Sequence, residues 1–298
     1  MYSYLNFIHS KWNKLLIYNN IFININLIIV VFFIFYCPFF FSQEKTIKNN
    51  VTLFFDYNTN APNSINNTHY EDYYVDLKSY KNYRAAYGAG IGWGLSFKRI
   101  IHPNILLYLS PSYHKGFNSH VVYHKTDSTE KNGYIQSKQI LLNPGIQLQV
   151  PIQRFYVIMQ CGVIIPIKVN STYKEEDSFM ETKLEWNYSY NFNAGFQGGI
   201  GINVPIIRNL YLGILLHGKL CSFTLKDAHL ERFDQNGVSL INDLDEYDKH
   251  YIYHEDLNNF SNNNLMNSKY DVKLAKDELT KSHSFSSLGI QFSISYEF

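Results

Sequence analysis

The stretch that most restricts the fold of this chain is its last fourteen residues, Phe285 to Phe298. From Leu288 onward every second residue is apolar: Leu288, Ile290, Phe292, Ile294, Tyr296 and Phe298. Between them lie Gly289, Gln291, Ser293, Ser295 and Glu297, all small or polar. Successive side chains of a strand point to opposite faces, so this ribbon has one oily face and one wet face. A strand of a soluble sandwich shows the same pattern, and the rest of the chain has to decide between the two settings.

The alternation recurs along the chain. Val51–Tyr57 carries Val51, Leu53, Phe55 and Tyr57 on one side, and Tyr87–Phe97 sets large apolar residues against Gly88, Gly90, Gly92 and Gly94. Glycine at every second position is the spacing of a pleated strand. A phosphate-binding loop needs a turn followed by a helix, which is not the context here. Further strands are expected over 105–113, 134–150, 155–169, 188–204 and 210–223, making eight with the last. Their connections alternate long and short. The short ones carry Pro103, Pro151 and Pro205, with Arg99, Arg154 and Arg208 nearby. Proline is tolerated at a strand end, where no ladder donor is needed.

If the last residue lies at the periplasmic side, every short connection falls on that side and every long one on the other. The chain therefore reads as an all-β, eight-stranded antiparallel up-and-down transmembrane β-barrel with short periplasmic turns and long extracellular loops. Aromatics on the outward face flank an uncharged middle: Tyr57, Tyr87, Tyr113 and Tyr190 on the loop side, Phe97, Phe155, Tyr296 and Phe298 on the turn side. Lipid offers no partner to backbone polar groups, so such a sheet must close on itself. Eight strands close into a cylinder that side chains can fill, which predicts a plugged barrel rather than an open pore.

Composition narrows the partners. A net charge of +1 gives no electrostatic footprint for nucleic acid. A mean hydropathy of −0.22 argues against a bundle of membrane helices but not against a barrel, whose wet face dilutes every strand. Near the amino terminus, Lys11 and Lys14 precede an apolar run from Leu27 to Phe41 and the small residue Ser42. This is the plan of a secretory signal over 1–42, leaving 43–298 as the barrel. Of the remaining cysteines, Cys161 is expected to face outward and Cys221 inward, two strands apart. That gap of roughly 10 Å exceeds a disulfide's reach, so two free thiols are expected.

The inward list contains Asp56, Lys98, Lys168, Lys219, His217 and Glu297. In a narrow barrel such charges satisfy one another, and Lys98 and Glu297, both near the turn-side mouth, are expected to pair. Ser110, Ser112, His114 and His217 share the inner face. Nothing in their spacing supplies a nucleophile, a base and an orienting group, so no catalytic residue is expected. The loop over 226–283 has acidic clusters at Asp243–Asp248 and Glu255–Asp256 without the glycine turn of a calcium loop. No metal or cofactor is expected. A short helix is predicted from Ser268 to Lys281, capped by Ser268.

The terminal strand resembles that of bacterial outer-membrane barrels, in which a final aromatic is read by the barrel-assembly machinery. By that resemblance Tyr296 and Phe298 are the assembly signal. Together with the alternation, the sorted connections and the leader ending Ser42-Gln43, the chain resembles the outer-membrane β-barrel domain family of Bacteroidota, which includes PorT-like barrels. Their architecture is similar to small OmpA/OmpX barrels. The resemblance implies an outer-membrane location in contact with lipid, and a non-enzymatic structural or interaction role through the extracellular loops, where a protein partner is expected. An accessory part in protein secretion or envelope assembly, a lipid-modifying enzyme and a narrow solute channel stay open as alternatives. The resemblance carries no functional residue beyond the assembly signal.

Overall fold

The computed structural model describes residues 49–60, 87–125 and 130–298. The expected leader, 1–42, lies outside the described residues, as does most of the first long loop. In chain order the strands are β1 (Asn49–Asn60), β2 (Gly90–His102), β3 (Ile105–Gly116), β4 (Ser119–Lys125), β5 (Glu130–Ile152), β6 (Phe155–Asp177), β7 (Thr182–Tyr190) and β8 (Gly195–Ile207). They continue with β9 (Leu210–Leu220), β10 (Ser222–Gln235), β11 (Val238–Ser239), β12 (His250–His254), β13 (Lys276–Leu279), β14 (Ser282–Ser284) and β15 (Ser287–Glu297).

Eight of these close into a barrel in the order β1-β2-β3-β5-β6-β8-β9-β15, each antiparallel to the next. The last strand then returns to the first, in register from Asn50↔Glu297 to Asn60↔Ser287. Among the described residues no helix is long and apolar enough to cross a membrane. Leu53, Phe55, Trp93, Leu95, Ile214 and Phe292 stand exposed on the outer wall, while Thr52, Asp56, Ser96 and Ser295 are buried inside. Three two-residue turns sit at one end, 103–104, 153–154 and 208–209. Gln153 and Asn209 adopt positive φ there, which lets so tight a turn match the twist of its strands.

A transmembrane strand needs about 9–11 residues. β1, β2, β3, β8, β9 and β15 have 11 to 13, but β5 and β6 have 23 each. Their far halves run beyond the barrel on the loop side. There they join a second sheet in the order β4-β5-β6-β7-β10-β12-β13, in which only β12 and β13 are parallel. An apolar cluster fills the loop-side mouth at the junction, where Phe285 packs against Tyr87, Tyr190 and Phe223 at centroid distances of 5.2, 5.2 and 4.9 Å.

This second sheet corrects several expectations. The run 188–204 is not one strand: β7 leaves the barrel to pair with β10, residues 191–194 belong to no ladder, and β8 starts afresh. Tyr190 therefore turns into the apolar cluster rather than outward, and so does Tyr87, which lies in a turn ahead of β2 and belongs to no ladder. The predicted helix from Ser268 to Lys281 is replaced by turns and β13, and the loop over 226–283 is largely ordered by β10 to β14. Asn262 organises its centre, its amide donating to the carbonyls of Asp271, Leu274 and Ala275. Cys161 is exposed, Cys221 buried, and both are free thiols.

The inward glycines of β2 make room for bulk from neighbouring strands. A Cβ at Gly92 would collide with the His114 imidazole, whereas one at Gly198 would meet only the Gln160 carbonyl at 3.5 Å. Gly92→Ala is expected to lower stability by about 1–3 kcal/mol, the usual cost of overpacking, and Gly198→Ala to change it little. Urea unfolding of the folded barrel in detergent micelles, followed by tryptophan fluorescence, checks both.

Candidate functional site

The wet faces of the barrel strands meet in a lumen packed with polar side chains. At its centre β9 supplies Lys219 and His217, β1 supplies Asp56, and β3 supplies His114. The Lys219 Nζ donates to Asp56 Oδ2 at 3.2 Å and lies 2.7 Å from His114 Nε2. An ammonium has no acceptor site, so in this contact the imidazole nitrogen is the acceptor. His114 Nε2 also lies 3.4 Å from Asp56 Oδ2, and His217 Nε2 lies 3.6 Å from Asp56 Oδ1. All four residues are buried.

The charges expected in the lumen have different fates. Asp56 and Lys219 form a buried ion pair. Lys98 is buried, yet its Nζ donates to Gln147 Oε1 at 3.0 Å rather than pairing with Glu297. Both do line one cavity of about 30 Å³ at the turn end. Lys168 is a correction: it is exposed. A bulge in β6 pairs Ile140 with Lys168 but Leu141 with Pro166, and the extra residue, Ile167, reverses the parity of everything beyond it.

The hydroxyls that share the inner face with the histidines are engaged elsewhere. Ser110 Oγ donates to Ser96 Oγ at 2.7 Å, and Ser112 Oγ accepts from Asn143 Nδ2 at 3.2 Å. A second cavity, about 20 Å³, lies between Lys98 and Asp56. Either cavity has room for one or two water molecules, far less than a small organic substrate needs. Among the described residues no group of acidic, histidine and cysteine side chains is arranged to hold a metal ion.

Some of the interior escaped sequence reasoning. Gln147, Tyr108 and the aromatic cap carry no motif. The one usable signal is parity: Phe285 falls on the same side of the last ribbon as Gly289, Gln291 and Ser293, which marks it as an inward phenylalanine.

No family model matches the chain, and no curated protein matches its sequence. Among solved structures, a major outer membrane protein from Thermus thermophilus is similar at a TM-score of 0.38 and 12% identity, over 85% of this chain and 100% of that one. The closed ladder itself decides the architecture. The fold is a closed eight-stranded antiparallel β-barrel. Its lumen is an interior held together by polar contacts.

Removing one partner of a buried ion pair strands the other charge and costs about 3–5 kcal/mol, whereas replacing both by apolar residues is often close to neutral. Asp56→Leu alone is expected to destabilise the barrel by that amount. The double variant Asp56→Leu/Lys219→Met should recover much of the loss, as read by a double-mutant cycle on urea midpoints in micelles.

Proposed function

We propose that this chain is a non-conducting, non-enzymatic outer-membrane protein that uses its barrel as an anchor and its outer sheet as an interaction surface. The observation that carries this reading is the filled interior. Polar side chains occupy the middle of the lumen, and the apolar cluster around Phe285 closes the loop-side mouth. On this reading, the filling by the described residues keeps solutes and substrates from passing through the barrel.

The outer sheet supports the second half of the reading. The β6–β7 and β10–β11 hairpins end side by side, the Asn236 amide donating to the Glu181 carbonyl at 3.1 Å. Their tips carry Phe179, Met180 and Val238 at 70%, 58% and 60% exposure. Large apolar side chains gathered at a rigid tip mark a surface suited to a protein partner. A place beside the PorT-like barrels of Bacteroidota, with Tyr296 and Phe298 read by the assembly machinery, accords with this architecture. An accessory role in secretion or envelope assembly is the form of partner binding these tips favour.

Planar-bilayer recording of the reconstituted protein should show no unitary conductance, and discrete openings of the unmodified chain would overturn the anchor reading. A photo-crosslinker at Lys183 is expected to capture a partner in intact cells. The triple substitution Phe179→Ser/Met180→Ser/Val238→Ser should abolish that capture while leaving the heat-modifiable gel mobility of the barrel unchanged. Undiminished capture would count against the tips as the partner surface.

A further inference from the structure

The outer wall of the barrel is not evenly convex. A groove of about 790 Å³ crosses β8, β9, β15, β1 and β2. Its floor is the Gly213–Ser293 cross-strand pair, where both residues face the lumen and leave mostly backbone toward the outside. Phe55, Trp93 and Phe292 form the upper rim, and Val204, Ile206 and Leu212 the lower wall. The lining is almost wholly apolar, so its occupant has to be hydrocarbon-like.

Three features specify that occupant further. Along β8 the groove runs from Ile202 to Ile206, four residues on. At about 3.3 Å per residue this is roughly 13 Å, close to half of a hydrocarbon core about 30 Å thick. With strands tilted by about 35–45°, this is about 10 Å of depth, within one leaflet, and it lies in the turn-side half of the wall. At its turn-side end, two residues beyond Ile206, the exposed Arg208 stands in the turn between β8 and β9. An arginine at that height offers a planar, permanently charged donor to a phosphodiester. Exposed Tyr296 follows Ile294 by two residues on the adjoining strand, at the level where amphipathic rings meet headgroups.

We propose that this groove is a binding site for one glycerophospholipid of the turn-side leaflet, an acyl chain lying over Gly213 and Ser293 and the phosphodiester on Arg208. The inference rests on the membrane reading above. It goes beyond it, because ordinary boundary lipid exchanges freely and shows no preference for one stretch of wall.

The test is native mass spectrometry of the full chain released from dodecylmaltoside micelles after incubation with dioleoyl-phosphatidylglycerol. Folding is checked first by heat-modifiable mobility. The unmodified protein should retain a single lipid at collision energies that strip any others. Leu212→Trp, which fills the groove from its wall, should cut that one-lipid adduct at least about tenfold. Arg208→Gln should cut it by about tenfold, the effect of losing one charge-assisted contact. Ile146→Trp, on the opposite wall, should leave it unchanged.

An adduct series without a preferred single lipid would overturn the site, as would a Leu212→Trp protein that binds like the parent. A dimer that Leu212→Trp disrupts would show that a second copy of the chain occupies the groove instead. A protein that stays folded and dispersed in buffer without detergent would overturn the membrane reading itself, and that result is scored separately before any lipid is added.

Discussion

The ladder between β15 and β1 is the contact on which the rest of the molecule depends. Each of the two edge strands of an open sheet would leave a row of amide and carbonyl groups unpaired. Pairing Asn50 with Glu297 through to Asn60 with Ser287 removes both edges at once. Asn49 and Phe298 exchange backbone hydrogen bonds at 3.0 and 2.9 Å at the very end of that seam. With the seam closed, inside and outside become distinct, and every alternate residue of eight strands is committed to one of them.

The interior then follows from volume. An eight-stranded cylinder is narrow, so bulky inward groups need glycine opposite them, and polar inward groups need one another. Gly92 yielding to His114 is an instance of the first, and Lys219 set between Asp56 and His114 of the second. Such a cluster adds little net stability over a well-packed apolar core. Its consequence is different: among the described residues it leaves only small cavities of about 20 and 30 Å³ in the lumen.

Where the chain rises past the barrel, the same inward face changes character. Ser171 and Tyr190 share a 2.6 Å hydrogen bond at the boundary, and beyond it Leu225, Phe223 and Phe285 form an ordinary hydrophobic core. The outer sheet can be large and ordered because it is built on β5 and β6, which are continuous with the barrel wall. The exposed tips at Phe179 and Val238 are thereby held by strands that continue the barrel wall rather than by a free loop.

Strand alternation is local, so the ribbons, their sorted turns, the outward aliphatics and the polar inner face were legible along the chain, and with them the barrel. So were the free thiols, because face and strand separation follow from parity. The parity of Lys168 was not, since one bulged residue reverses it and leaves no mark in a single sequence. Nor was the fate of Tyr190, whose strand departs to a neighbour that only the assembled sheet supplies. The partners of the buried charges were beyond reach for a related reason: Asp56 and Lys219 are 163 residues apart and meet only because β15 joins their two strands into one closed wall. Away from the bulge in β6 and the departure of β7, sequence determined which side of the wall a residue occupies; the tertiary structure decided what it meets there, because register and closure are properties of strands taken together.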